Sequence, residues 1–412
     1  MRILLITQIL PYPPDAGPRV KTWHVLRHLA GRGHAVTLAS FVRPEEQRYL
    51  PALGGICAEV LALPIRRSRV ADLGHWLRGL GSGRPFLVER DRSPAMQRAI
   101  HEAGRKGSFD IVHADQITMC QYWPFEDGRG PGPLRVFDAH NATWKILERS
   151  RPNVARWLRG PLALETGRLR RYEGAVVRGY DRTLAVTELD RQALLEAARD
   201  GGARRVDPDR VSVIPIAVDT DGSAPVTRRP GSCTILTLGT LHYAPNAEGI
   251  RWFLERVFPL VRAMMPEARL TIVGRNPPRD FVRRAEADPQ SIRVTGYVED
   301  LVPYWQEAAV AVVPVLSGSG MRVRILEGLS RGVPLVTTTV GLEGIEAQDN
   351  VHLLVEDDPA KFAAAVVRLL GDPLLQARLA ANGRQLAVNR YDWRVVLRAL
   401  DDLYESPRAA LA

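Results

Sequence analysis

The chemistry-bearing residues of this 412-residue chain gather in a few short stretches. The densest is Val315–Thr338, VLSGSGMRVRILEGLSRGVPLVTT. It reads as a strand, a glycine-rich turn, a helix, a Gly-Val-Pro turn and a second strand. Gly318 and Gly320, on either side of Ser319, let backbone approach a ligand closely. The unpaired amides that open the helix favour an anion. Arg322 and Arg324 add planar guanidinium donors matched to phosphate. Glu327 follows on the same helix, where a carboxylate either accepts from sugar hydroxyls or pairs with an arginine at the surface. In the first half, two strands end in polar groups. Asp115 closes Asp110-Ile111-Val112-His113-Ala114-Asp115, and Asp138-Ala139-His140-Asn141 closes the next. His113 reads as a core histidine with its hydrogen bonds satisfied. Asp115, His140 and Asn141 read as functional groups, because polar clusters at the carboxyl ends of strands face the ligand crevice of an α/β sheet.

What is missing narrows the chemistry. No HExxH motif and no cysteine pair stands near the histidines, so no metal site is expected. Cys57, Cys120 and Cys233 are far apart and odd in number. That excludes a disulfide framework and a cysteine zinc site, and suits a reducing compartment. No GxSxG precedes a helix. The first loop, Leu10–Pro18, holds only Gly17, so it is not a dinucleotide-binding turn and no cofactor is expected. The net charge of +10 is unevenly shared: residues 1–210 hold 34 Lys and Arg against 23 Asp and Glu, and residues 211–412 hold 22 against 23. The basic residues are not interleaved with aromatics, which argues against a nucleic-acid partner. An anionic membrane surface or an acidic substrate remains. Arg151, Arg156, Arg159, Arg168, Arg170 and Arg171 share one helical region, with Arg66, Arg67 and Arg69 elsewhere. They read as a solvated face or as contacts to anionic lipid heads. Trp23, Trp76 and Trp157 read as core packing in preference to membrane-edge aromatics. No stretch approaches the ~18 apolar residues of a membrane span. The apolar start, soon followed by PYPPD, reads as a buried strand rather than a signal peptide. The expected location is cytoplasmic, peripheral at the inner face of the plasma membrane.

These groups need strands that end beside them. Short β-rich runs alternate with helical patterns throughout. Strands are predicted at 2–9, 35–41, 59–64, 109–113, 134–138, 182–186 and 211–216. The pattern then restarts, with strands at 233–239, 269–274, 291–295, 310–315, 334–338 and 352–355. A helix near Asn246–Met265 carries an apolar stripe from Ile250 to Val261. The expected fold is α/β: two Rossmann-like, doubly wound parallel-sheet domains facing a cleft, with the polar motifs beyond the carboxyl ends of the strands.

The segment Val315–Thr338 resembles the donor-binding signature of family 4 glycosyltransferases, the retaining "glycosyl transferases group 1". Glu327 matches the second glutamate of that signature, and Gly332-Val333-Pro334-Leu335-Val336 its G-x-P-V-V tail. Ser319 stands where the first glutamate is usual; sub-branches with a G-S-G-x-R-x-K-x-L-E form share that departure, and Arg322 and Arg324 fit them. Met1–Val36 resembles the family's opening, which places Asp15 and Gly17 against the donor phosphates or the acceptor. Thr237–Gly249 resembles the first strand and loop of the nucleotide domain and brings in Gly239 and Asn246. Relatives often carry Arg and Lys where this chain has Thr240 and Asn246, so the resemblance leaves Arg322 and Arg324 to meet the diphosphate. Arg275, and Gly296-Tyr297-Val298, resemble the loops that hold the base. Many relatives have His at the position of Asp115, near the reacting sugar, and the resemblance implies that His140 and Asn141 hold the acceptor or the sugar.

The resemblance implies the GT-B architecture. Residues 1–218 would bind the acceptor, 219–231 would be a linker, 232–390 would bind a nucleotide-diphosphate sugar, and 391–412 would return as a helix to the first domain. The implied reaction moves a sugar to a glycan or lipid-linked acceptor with retention and without a metal, in cell-surface polysaccharide or glycoconjugate synthesis. Two other readings fit the same residues: a GT-B-fold nucleotide-sugar epimerase, and a non-catalytic nucleotide-sugar-binding partner in a polysaccharide assembly complex.

Overall fold

Runs such as Ile3-Leu4-Leu5-Ile6, wholly buried, have no polar face to turn to solvent. They can only lie inside a sheet covered by helices on both faces. The computed structural model contains two such sheets. It describes residues 1–15, 17–65, 67–123, 132–200, 206–318 and 320–405. One unit comprises Met1–Ile216 with the stretch from Val396 onward, and the other Ala217–Val395.

In the first unit the strands are β1 (Arg2–Thr7), β2 (Ala35–Val42), β3 (Glu59–Pro64), β4 (Ile111–Asp115), β5 (Leu134–Asp138), β6 (Arg182–Ala185) and β7 (Val211–Val213). They form one parallel sheet in the order β3-β2-β1-β4-β5-β6-β7. The second unit has β8 (Thr234–Leu238), β9 (Arg269–Val273), β10 (Ile292–Val294), β11 (Ala308–Val313), β12 (Leu335–Thr337) and β13 (Leu354–Val355). Their order is β10-β9-β8-β11-β12-β13, again parallel. In each sheet the winding reverses beside the first strand, between β1 and β4 and between β8 and β11. Loops leaving two strands in opposite directions open a crevice at such a point. Every predicted strand is present, with ends moved by a few residues. The run expected at 109–113 starts at Ile111 and extends to Asp115, which brings Asp115 into register with Thr7 and Asp138.

The segment expected to be a linker is part of the second unit. Val226 N donates to Arg331 O at 3.0 Å and Arg229 N to Gln306 O at 2.8 Å. The unit boundary falls after Ile216, and again after Val395, because the two chain passages are tied together inside the second unit. Val218 N donates to Tyr391 O at 2.8 Å and Trp393 N to Val218 O at 3.0 Å. Asp392 accepts from Thr220 and Arg394. Burial works against its charge, but those hydrogen bonds hold the carboxyl below the usual carboxylate range.

The helical stretch after β8 runs as Ala244–Trp252, a π-turn Phe253–Val257 and Phe258–Met264. Pro259 cannot donate to the preceding turn, and the wider turn absorbs that loss. Gly249 lets this helix meet the strand-end loop of β11: a Cβ there would lie 1.6 Å from Pro314 O. The last described helix, Arg398–Glu405, lies in the first unit, where Asp401 accepts from Arg32 and stands 2.8 Å from His28 Nε2.

Candidate active site

Both switch points carry polar side chains, and they are built differently. In the first unit a buried ionic network fills the ends of β1, β4 and β5. The helix Gly17–Gly31 leaves the loop after β1 and drops Lys21 and Thr22 onto the strand ends. Lys21 Nζ donates to Asp138 Oδ1, with both side chains almost wholly buried. His113 Nε2 lies 3.2 Å from Asp138 Oδ2. Thr22 Oγ1 donates to Asp115 Oδ2 at 3.1 Å, and His140 Nε2 lies 2.7 Å from Asp115 Oδ1. All four carboxylate oxygens are thus engaged. Burial disfavours the Asp138 charge, but the Lys21 ammonium and the His113 hydrogen bond outweigh it and hold the carboxyl below the ordinary range.

Because carboxylates accept, His140 Nε2 carries the hydrogen toward Asp115, and Nδ1 is left with a lone pair. Nδ1 has no hydrogen bond to a described residue. Half-buried Asn141 is the next residue in the loop. Thr7 Oγ1, at the end of β1, is buried without a partner among the described residues. Gln116, directly after Asp115, holds φ 76, a left-handed conformation unusual for a residue with a Cβ. Its N–H is fixed to Asp138 O at 2.9 Å. Strain of this kind persists where the surroundings over-determine a turn.

His113 is fully buried with both ring nitrogens engaged, as expected for a core histidine. The expectation that no metal-ligand cluster exists is corrected. Asp115, Asp138 and His140 each offer a ligand atom within 4.8 Å of the others. Sequence spacing could not show this, because the three come from β4, β5 and the loop after β5. A cation there would have to displace Lys21 or the hydrogen bonds that already occupy the oxygens. Sequence reading also missed Lys21 and Thr22 as members of the cluster. The only signal was the scarcity of lysine, four in the chain.

Two buried carboxylates brace the loop holding His140 and Asn141 by capping the helix Thr143–Ser150. Asp190 Oδ1 accepts from Ala142 N at 2.9 Å. Glu173 accepts from Thr143 N at 2.9 Å and Trp144 N at 3.0 Å. Gly17, assigned to the donor from sequence, opens the Lys21 helix. Its neighbour Asp15 pairs with Arg19 at 3.1 Å.

In the second unit the switch point is made chiefly of backbone. Gly239 N donates to Val273 O at 2.9 Å and Gly274 N to Gly296 O at 2.9 Å, lacing together the loops after β8, β9 and β10. A Cβ at Gly274 would lie 1.8 Å from Gly239 O. Asn246 Nδ2 caps the β8 loop at Thr240 O, 3.2 Å. Arg275 stacks 4.1 Å over exposed Tyr297, with half-buried Val298 next in the loop. After β11, Gly318 has φ 115 and Gly320 φ 84. A Cβ at Gly318 would meet Arg322 Nη2 at 3.2 Å. Ser319 lies outside the described residues. The helix Val323–Ser330 opens at Arg322 with no side-chain cap, so its first amides are uncapped by side chains. Arg324 spends Nε on Leu238 O at 2.8 Å, tying this helix to the end of β8. Glu327 is partly open to solvent, and its carboxylate has no hydrogen bond or ion pair within 4 Å among the described residues. Burial raises its pKa above the usual carboxylate value, partly offset by the charges of Arg324 and Arg331.

Two doubly wound units with these switch-point groups define a GT-B glycosyltransferase. Residues 17–221 match the family model Glycosyltransferase Family 4, and residues 232–372 match Glycosyl transferases group 1. The chain belongs to that family. Phosphatidyl-myo-inositol mannosyltransferase of Mycobacterium leprae is 26% identical over 324 residues, covering 76% of this chain and 78% of the relative. The GDP-mannose-dependent monoacylated alpha-(1-6)-phosphatidylinositol monomannoside mannosyltransferase of Corynebacterium glutamicum is 26% identical over 211 residues, 47% and 55% of the two chains. Among solved structures, sucrose-phosphate synthase of Thermosynechococcus elongatus matches with TM-score 0.71 at 19% identity, covering 100% of both chains. Anabaena Alr3699/HepE in complex with UDP-glucose matches with TM-score 0.65 at 13% identity, covering 99% of this chain and 100% of that one.

The loop brace titrates. Burial pushes the Glu173 carboxyl from 4.5 up to about 7, against the hydrogen bonds from Trp144 and Thr143. The folded chain therefore binds this proton more tightly than the unfolded chain. Its stabilising effect is complete below about pH 4.5 and is lost as pH rises toward 7. Glu173→Gln cannot titrate. Across that window, urea denaturation should show wild type losing on the order of 3 kcal/mol relative to the variant. A pH-independent difference would contradict the assignment.

Proposed function

We propose that the chain transfers a sugar from a nucleotide-diphosphate sugar, held at the β8/β11 switch point, to a lipid-linked or glycan acceptor held by the first unit, with retention of the anomeric configuration. The observation that carries this reading is Glu327. A carboxylate deep enough for burial to raise its pKa despite nearby Arg324 and Arg331, without a hydrogen bond among the described residues and partly open, is costly unless a ligand completes it. It lies five residues into a helix whose uncapped amides suit a diphosphate, so a donor ribose hydroxyl is its natural partner. Cleavage of the sugar–phosphate bond leaves negative charge on the diphosphate; Arg322 and those amides would stabilise it without a metal. In the first unit, His140 Nδ1 and Asn141 would orient the acceptor hydroxyl.

GDP-mannose is the first donor to test, since the Mycobacterium leprae and Corynebacterium glutamicum relatives are named mannosyltransferases, the latter GDP-mannose-dependent. Glu327→Gln should weaken GDP binding roughly tenfold to over a hundredfold, the worth of a hydrogen bond to a charged group. The melting temperature should barely move, and EDTA should leave wild-type affinity unchanged. Calorimetric titration beside thermal melts reads all three. Native GDP affinity in the variant would sink the donor site, and affinity abolished by EDTA would sink metal independence.

The acceptor would be met at an anionic membrane surface. No helix among the described residues is long and apolar enough to cross a membrane. The helix Arg69–Ser82, however, leaves Val70, Leu73, Trp76, Leu77 and Leu80 exposed, spaced by one to three residues along one stripe. Trp157, on the segment bearing exposed Arg151, Arg156 and Arg159, is 77% exposed. The expectation that Trp76 and Trp157 pack in the core is therefore corrected; Trp23 is half-buried against Tyr12. Arg66 lies outside the described residues. An apolar stripe with flanking arginines suits the boundary between headgroups and acyl chains. Flotation with phosphatidylserine-containing vesicles should show binding at low salt that fades as salt rises and the Debye length falls to about 8 Å and below. Leu73→Ser/Leu77→Ser should weaken binding at every salt concentration. Unaltered binding by that variant would contradict the assignment of the stripe.

A further inference from the structure

The strand-end network does not stop at His113. The helix Arg398–Glu405 sets Tyr404 against this wholly buried ring, with its hydroxyl 2.5 Å from Nδ1. The two rings cross edge-on at 80°. Beyond His113 come Asp138 and then Lys21, a continuous buried chain of four side chains from the C-terminal helix to the helix after β1. One proton order satisfies every member. Lys21 and His113 Nε2 donate to the carboxylate, which leaves Nδ1 as the acceptor of the Tyr404 hydroxyl proton. Burial, reinforced by the Asp138 charge, raises the pKa of the Tyr404 phenol well above its usual value, so it stays a donor. Asp138 also accepts, through its backbone carbonyl, from the strained Gln116 that follows Asp115.

A phenylalanine would fill the same space without burying a hydroxyl. A buried polar chain is a costly way to pack a core, and its gain lies in fixing one arrangement of the groups it joins. The helix that carries Tyr404 is held independently by Asp401, one turn earlier on the same face, through His28 and Arg32. In the sequence His113 precedes the whole of the second unit and Tyr404 follows it.

We propose that Tyr404 is a positioning residue for the transfer reaction: its hydroxyl fixes the His113 ring, and through it the Asp138 carboxylate and the turn carrying Asp115, so that docking of the C-terminal helix sets the geometry of the acceptor-side group. This rests on the assignment of Asp115 and His140 to that group, and the test separates the two. Tyr404 touches no substrate; it acts through His113.

Tyr404→Phe keeps the ring and should fold. Nitrogen-15 spectra of the histidine side chains in the full chain, with His113 identified by its loss in His113→Gln, should show a single fixed Nε2–H tautomer in wild type. In Tyr404→Phe that signature should move toward tautomer exchange. Asp401→Asn, which loosens the same helix without touching His113, should move it in the same direction. Mannose transfer from GDP-mannose to phosphatidylinositol vesicles should lose about tenfold or more in kcat in Tyr404→Phe, with the KM for donor unchanged within about twofold. An unmoved His113 signature in Tyr404→Phe would overturn the proposal whatever the donor. Native kcat in Tyr404→Phe while Asp115→Asn is inactive would overturn it and leave the site standing. Native kcat in both would overturn the site assignment itself, and the proposal with it.

Discussion

The first unit depends on a buried charge that must not be left alone. Asp138 ends β5 beneath the helix Gly17–Gly31, with about 1% of its surface exposed. An unpaired carboxylate there would cost several kcal/mol. Lys21 reaches it from one side and His113 from the other, and these two contacts determine much of the surrounding geometry. To deliver Lys21, the helix after β1 must lie across the ends of β4 and β5, which puts Thr22 on Asp115. To deliver His113 in one orientation, the far ring nitrogen needs a partner, and the last described helix supplies Tyr404. Asp115 can then hold His140 with one oxygen while Thr22 occupies the other.

The second unit solves its positioning problem with backbone. Gly239, Gly249 and Gly274 sit where a Cβ would meet main chain or a packed side chain at 1.6–3.3 Å, so the loops after four strands converge without side chains between them. Gly318 and Gly320 adopt left-handed φ values before an uncapped helix. Such a surface presents N–H groups and leaves room for an anionic ligand. The charged groups are few: Arg324 is tied to Leu238, Arg322 lies against Gly318, and Glu327 stands without a hydrogen-bond partner among the described residues. The contrast suits a division of labour in which one unit binds a diphosphate through main chain and the other orients hydroxyls through a fixed ionic network.

Much of this was legible in the sequence, for physical reasons. Parallel strands buried on both faces leave unmistakable apolar runs, so all thirteen strands and both sheets could be read. The 318–327 motif could be read because left-handed turns demand glycine within a short span. The strand-end network of the first unit was only half legible. Asp115 stands out because it ends a strand and His140 because it follows one closely, but Lys21, Thr22 and Tyr404 are helix residues whose faces are chosen by packing. Tyr404 lies 291 residues from its partner His113, and no local pattern encodes that pairing. The segment 219–231 misled because its Pro, Gly, Ser and Asp content signals turns, and turns can be pinned by backbone hydrogen bonds as firmly as a helix. Trp76 and Trp157 misled because aromatic residues usually seek the core.

The central claim is that the Lys21–Asp138 pair is kept for the geometry of the reaction rather than for stability, and a double-mutant cycle tests it most directly. Urea denaturation of Lys21→Met, Asp138→Asn and the double variant gives the stabilities, and sugar-nucleotide turnover on the same samples gives the function. The account predicts that Lys21→Met costs about 3–5 kcal/mol by stranding the carboxylate. The double variant should regain most of that loss through the coupling of neighbouring groups, yet transfer sugar far more slowly than wild type. A Lys21→Met chain as stable as wild type, or a double variant with full turnover, would contradict it.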